Sequence, residues 1–437
     1  MTTNEKLIQL LNASYSPFHV VKNIESELQS HGFIQLKENE NYSLELSKSY
    51  FVKRNDSSII AFTLPETLTS DFHFQITASH TDSPTFKLKP NPVIRKENAI
   101  VLNTEPYGGL IHNTWLDRPL SFAGRVLISH EGKIETRLLN IDEDLLIIPN
   151  LAIHMNRNIN SGFAYNPSKD LLPLFSLDAE DDFSFADYLK EKLNLTKEDI
   201  VEGFDLFLYN RTKATLLGRK KEFLASGRED DLASCYSSLL GFLESGLSQT
   251  AVKVFVAFDN EEVGSLTKQG ANSTFLKETL IRISKIFEQE KDDFEKRIAS
   301  SSLISIDNAH ADHPNYLEVH DQTSPVRMNH GIVIKYNANQ SYTSDALSAS
   351  IVKTICRKEE IPFQEFTNRS DMRGGSTLGN ISNSMVSMTS VDIGIPQLAM
   401  HSSYEVLALK DMLEMERFVK AYYSYDVIVD SSSIVIN

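Results

Sequence analysis

The chain has 437 residues, 41% hydrophobic and 23% charged, the balance of a globular protein long enough for two or three domains and a large buried core. Its net charge of −16 excludes the basic surface that a nucleic-acid phosphate backbone demands, and no run of 18 or more apolar residues exists to span a bilayer. Two cysteines, Cys235 and Cys356, exclude a disulfide framework and point to a reducing compartment. The opening "MTTNEKLIQLLNASYSPFHVV" lacks the basic and sustained apolar segments of a signal peptide, so the expected location is the cytoplasm.

In chain order, "NEKLIQLLNAS" places Leu7, Leu10 and Leu11 on one stripe and predicts a helix stopped by Ser16-Pro17; "IESELQSHGF" repeats the pattern. "SYFVKRNDSSIIAFTLP" alternates like a hairpin turning at "NDSS", and "FHFQITASHTDSP" predicts a strand running into His80 and Asp82. From about Pro90 to Lys221 the texture becomes β-rich, with "AIVLNTEPYGG", "SFAGRVLISHEGKIETRLLNI" and "DLFLYN" as strands. After about Gly227 strands and helices alternate. "AVKVFVAF" is a buried strand, roughly 272–300 a long helix, "SLISI" and "GIVIKYN" strands, "SDALSASIVKTICRK" a helix, and a strand lies near "SMVSMTSVDIG". "LKDMLEMERFVKAYYSYDVIV" is the expected final helix. The pattern predicts an α/β domain formed by residues 1–90 and 228–437, interrupted by a β-rich block over 91–227.

Acidic and imidazole side chains cluster where strands end. "AVKVFVAF" runs into Asp259-Asn260-Glu261-Glu262, "SLISI" into Asp307, and "FQITAS" into His80 and Asp82. Ligands of open parallel sheets bind at that edge, and His, Asp and Glu suit zinc or a related divalent ion. Each piece also has a plainer reading: His-x-Asp makes a turn, and "DNEE" a solvated loop or a helix start. His310 and His313 line a loop or an interface, since Pro314 argues against a helical pair, and His401 after "QLAM" reads as a core histidine. "NRSDMRGGSTLGN" lacks the ending of a phosphate-binding loop; its glycines would let backbone approach a substrate.

The stretches "ASHTDSP", "YGGLIHNTWLDRPLSFAGRV", "LAIHMNRNIN", "GREDDLASCYSSL", "FDNEEVGS", "DNAHADHPNY", "GIVIKYN" and "GIPQLAMHSSYE", from about residue 76 to 405, together resemble the M18 family of metallo-aminopeptidases, the aspartyl aminopeptidase family. The resemblance implies a mixed-sheet metallopeptidase domain sandwiched by helices, with the β-rich block as an inserted dimerisation domain and a homododecamer built from dimers. It implies two divalent metal ions per subunit, zinc, held by His80, Asp230, Glu262, Asp307 and His401, with Asp230 bridging. Asp82 would orient His80, and Glu261 would act as general base. The family has Asp-Asn-Leu where this chain has Asp230-Asp231-Leu232; Asp230 takes the bridging role by register. His154 matches a histidine that reaches a neighbouring subunit's site, and Lys335 and Arg373 are the cations expected to meet an acidic side chain of a peptide substrate. The expected activity is removal of N-terminal residues, Asp or Glu, from peptides. The alternatives are a preference for neutral or apolar residues, another amidohydrolase of the same architecture, or a silent assembly relative. A silent relative would be expected to lose Glu261 or several ligands, and all are present.

Overall fold

Strand Val252–Phe258 shows how the main sheet is built. Its side chains alternate in direction, so Val252, Val254, Val256 and Phe258 enter one apolar core while Phe255 and Ala257 enter another. A strand covered on both faces reads as a continuous apolar run rather than an alternating one. The computed structural model describes residues 3–67, 72–177, 182–287, 290–372 and 374–437. Among these, nine strands form the main sheet in the spatial order Ile34–Leu36, Ser49–Arg54, Ser58–Thr63, Val252–Phe258, Phe74–His80, Ser302–Ile306, Thr389–Gly394, Ile332–Tyr336 and Phe363–Thr367. The sheet is mixed: its central strands are parallel, whereas Ser58–Thr63 and Ile332–Tyr336 join antiparallel neighbours. Helices Thr3–Ala13, Pro17–Ser30, Glu229–Glu244, Ala346–Lys358 and Leu409–Ser424 cover one face, and Phe275–Ile286, Asp293–Ala299 and Leu378–Met385 the other. Each large side chain buried this way contributes about 1.5–3 kcal/mol.

A second, wholly antiparallel sheet of six strands runs Lys133–Asn140, Leu120–His130, Ile200–Asn210, Thr85–Lys96, Ala99–Tyr107 and Leu174–Ser176. It has its own core around Phe86, Trp115, Phe122 and Leu206. The sheet starts at Thr85 and ends at Asn210, inside the chain limits of 91 and 227 only in part. The following strands, Thr215–Leu217 and Phe223–Ser226, instead join a five-stranded sheet with Glu405–Ala408, Pro396–Leu398 and Ala309–His310.

Two sequence expectations are corrected. The helix expected over 272–300 is two, Phe275–Ile286 and Asp293–Ala299, because Arg297 of the second donates to the carbonyls of Ser284 (3.1 Å) and Phe287 (3.0 Å) and so ends the first. The final helix stops at Ser424; the β-branched Val427–Asp430 pairs with Ser433–Ile436 in a hairpin. Among the described residues no helix is long and apolar enough to cross a membrane.

Candidate metal centre and active site

The carboxyl ends of the parallel strands deliver the chemistry. His80 ends Phe74–His80 and lies opposite Phe258, after which Glu261 and Glu262 form a single 3-10 turn; Asp307 follows Ser302–Ile306. Asp230 enters from the distorted first turn of Glu229–Glu244, where neither it nor Asp231 has helical dihedrals. His401, at φ 68°, sits in the six-residue loop between Pro396–Leu398 and Glu405–Ala408.

Both imidazoles are aimed alike. His80 Nδ1 donates to the carbonyl of Asp82 (3.1 Å) and His401 Nδ1 to that of Gly109 (2.9 Å), which leaves each Nε2 facing carboxylates. His80 Nε2 lies 3.5 Å from Asp230 Oδ1 and 3.8 Å from Asp307 Oδ1. His401 Nε2 lies 3.5 Å from Asp230 Oδ2 and 3.4 Å from Glu262 Oε2. One carboxylate, Asp230, thus has an imidazole on each oxygen. These spacings are longer than hydrogen bonds and close to the roughly 3.3 Å between neighbouring ligands of a tetrahedral zinc ion bound at about 2.0–2.1 Å.

The electrostatics ask for cations. Asp230 Oδ1, Asp231 Oδ1 and Glu262 Oε1 are sealed from solvent with no hydrogen-bond partner among the described residues. Burial pushes Glu262 well above the carboxylate range, and the charge of Asp230 adds to it. Burial opposes charge on His401, yet Asp230 holds it up at about 9. For His80 burial again opposes charge, and Asp231 with Asp230, Asp307 and Asp82 outweighs it. Buried carboxylates and aimed imidazoles in this number fit divalent ions held by nitrogen and oxygen. Three donor groups meet that need: His80 with Asp230, Asp231 and Asp307; His80 with Glu261 and Glu262; and Asp230 with Glu262 and His401.

Asp82 does more than steer His80. Its Oδ1 accepts from the Glu261 amide (3.1 Å) and its Oδ2 from the Glu262 amide (3.2 Å) and the Tyr107 hydroxyl (2.8 Å), so it fixes the turn that carries both glutamates. Glu405 does the same elsewhere, accepting from the amides of Asp230 (3.1 Å) and His401 (2.7 Å). Sequence reading missed these roles of Tyr107 and Glu405 and the place of Asp231 in the cluster. "EPYGG" and "HSSYE" carried the first two residues without any local signal of their task.

A cavity of about 360 Å³ opens over the centre, walled by Lys335, His310, Tyr342, Phe366, Ile381 and Met400 besides the acidic cluster. Lys335 is buried rather than a surface charge: its Nζ donates to the carbonyls of Asp307 (2.9 Å) and Asn308 (3.3 Å) and lies 3.7 Å from Asp307 Oδ2. His310 lies on the short strand Ala309–His310 at this wall, while His313 sits away from the ion donors. His154 lies on an exposed turn and does not line the cavity of its own chain. Arg373 lies outside the described residues.

The family profile described as "Aminopeptidase I zinc metalloprotease (M18)" matches residues 10–423. The chain belongs to the M18 aminopeptidase family. A probable M18 family aminopeptidase 2 of Clostridium novyi (strain NT) is 45% identical over 426 residues, covering 96% of this chain and 98% of the relative. The cryo-EM structure of the Ape4 and Nbr1 complex superimposes with a TM-score of 0.92 at 34% identity, covering 96% of this chain and 85% of that one. The S. cerevisiae mApe1 dodecamer shares the fold, with a TM-score of 0.84 at 24% identity and 96% of each chain covered. M18 membership makes the protein an aminopeptidase of a zinc metalloprotease family.

Proposed function

We propose that this M18 protein removes N-terminal residues, acidic ones by preference, using two divalent ions that share Asp230. The observation that carries the reading is the placement of the Asp230 carboxylate between two imidazoles, one on each oxygen. His80 and Asp307 would hold one ion, and Glu262 and His401 the other. Bound there, zinc supplies charge that polarises a peptide carbonyl, acidifies water and anchors a free amine.

Glu261 is the general base. Its side chain accepts no hydrogen bond among the described residues, and burial pushes its carboxyl up to about 8, with His80 opposing and Asp307 adding to the rise. A carboxyl so placed takes a proton from water and returns it to the leaving amine. Glu261→Gln should retain both ions by metal analysis and lose roughly 10²–10⁴-fold in turnover. Wild-type turnover in that variant would overturn the assignment.

Lys335 gives the cavity a cationic wall, which supports an acidic preference. The runner-up, a neutral or apolar preference, draws on the fact that its Nζ is already committed to Asp307 and Asn308 while Phe366, Ile381 and Met400 line the same space. Turnover of Asp-, Glu- and Leu-aminoacyl substrates separates the two, and Leu equal to or better than Asp sinks the first.

The chain is also proposed to assemble in dimers built on the six-stranded sheet and, like the dodecameric relative, into a dodecamer. Leu151, Ile153 and Met155 are exposed around His154, so in an assembly that loop would reach a neighbour's site. Full activity in an isolated protomer would remove His154 from the mechanism. Two free, buried cysteines fit the cytoplasm as its location.

A further inference from the structure

Behind the candidate metal centre lies a second, smaller cavity of about 30 Å³, partly open and lined by the turn between the first two helices, the six-stranded sheet and the segments that carry the candidate metal donors. Its walls hold two buried donors with no acceptor among the described residues: Arg228 Nε and the indole Nε1 of Trp115. The Arg228 guanidinium makes no hydrogen bond or ion pair with any described residue; the Tyr209 ring, its centroid 5.9 Å away, is the contact it does make. The charge of Glu405 favours the cation from a distance, but no carboxylate of the described residues pairs with it. Glu405 is committed to the amides of Asp230 and His401, and neither it nor Glu229 reaches ion-pairing distance. Arg228 is held at φ 63°, a left-handed conformation uncommon outside glycine. A guanidinium keeps its charge at any pH the protein meets; the Arg228 side chain is only partly covered, but its Nε is sealed from solvent without an acceptor, and a buried donor left so is disfavoured.

Two N–H donors and a fixed positive charge, without a matching acceptor, call for an anion rather than a cation or a neutral polar group. The space decides its size. A water needs about 10–15 Å³ of such volume, so about 30 Å³ admits a monatomic ion with at most a water beside it, and excludes a peptide carboxylate or a nucleotide. We propose that this cavity is a binding site for a small monovalent anion of halide size, held by Arg228 and Trp115. Thr81, Ser83 and Ser402 line the same space, and Ser83 Oγ donates to the carbonyl of Asp230 (2.6 Å). The ion therefore sits against the three segments that bear His80, Asp230 and His401, without touching substrate.

The test needs no activity and so stands apart from the proposed reaction. The melting temperature of the full chain is followed as chloride or bromide replaces gluconate at constant ionic strength, and bromide-soaked crystals are examined for anomalous scattering. The expected result is a saturable rise in Tm and a bromide peak between Arg228 and Trp115. Trp115→Phe, which keeps the ring packed, should raise the half-saturating concentration several-fold, and Arg228→Gln about tenfold or more. Equal Tm in chloride and gluconate, or a wild-type cavity holding water alone in bromide, would overturn the proposal even if Arg228→Gln fails to fold.

Discussion

Asp82→Asn isolates the part that one carboxylate plays in shaping the centre. Asp82 is fully buried, and its two oxygens receive the Glu261 amide, the Glu262 amide and the Tyr107 hydroxyl. Asparagine keeps the shape but replaces one acceptor by a donor. The Tyr107 hydroxyl can rotate to accept, whereas a backbone amide cannot, so whichever way the new side chain points, one glutamate amide loses its acceptor. Leaving a buried N–H unpaired costs about 1–3 kcal/mol, equivalent to roughly 5–150-fold in an equilibrium constant. That range overlaps the roughly 10–100-fold lost when a group that orients metal ligands is removed. Metal affinity measured by competition with a chromophoric chelator should therefore fall by about 10–100-fold, and urea unfolding of the metal-free chain should show a loss of about 1–3 kcal/mol. Affinity within twofold of wild type together with unchanged metal-free stability would refute the view that Asp82 fixes the Glu261–Glu262 turn.

Three further outcomes follow from the same structure. Chelation should lower Tm in the full chain, since each ion bound only by the folded state at about 100 times its Kd contributes about 2.7 kcal/mol; a Tm indifferent to chelator contradicts a buried ion site. Gly394→Ala should destabilise the fold and weaken metal binding, because a Cβ there would lie 2.1 Å from the Asp307 carbonyl and push away the backbone that presents Asp307; wild-type metal affinity would show that Asp307 is held by other means. Lys253 is buried in the main sheet, and burial lowers its pKa to about 8 from an ordinary 10.5. Between those values the unfolded chain binds more protons, so wild-type stability should rise with pH relative to Lys253→Met, by up to about 3 kcal/mol in urea unfolding. A wild-type-to-variant difference that stays constant from pH 7 to 10.5 would dispose of it.

What was legible in the sequence is local. Period and turn residues located the first helices, the hairpin at "NDSS" and the apolar strands whose ends carry His80, Glu261 and Asp307. Tertiary caps were not legible: the break after Phe287 depends on Arg297 reaching back to two carbonyls, and nothing in the apolar period announces it. Nor was the five-stranded sheet, whose strands of two to four residues come from three distant parts of the chain. Lys335 shows the limit most clearly. Its strand was found, but burial and commitment to Asp307 and Asn308 follow from neighbours that a linear reading does not supply.

The split layout of the centre sets an order of events during synthesis. The six-stranded sheet spans Thr85 to Asn210 and is complete before Asp230 has been made, so its strands can pair while every candidate metal donor except His80 is still missing. His401 follows His80 by about 320 residues, which at about 5–20 residues per second is a wait of roughly 15–60 s on the ribosome. An ion therefore cannot template the early folding of this chain. The two-ion centre proposed between His80 and His401 would form last, and its binding energy would act as a latch on a structure built by apolar packing.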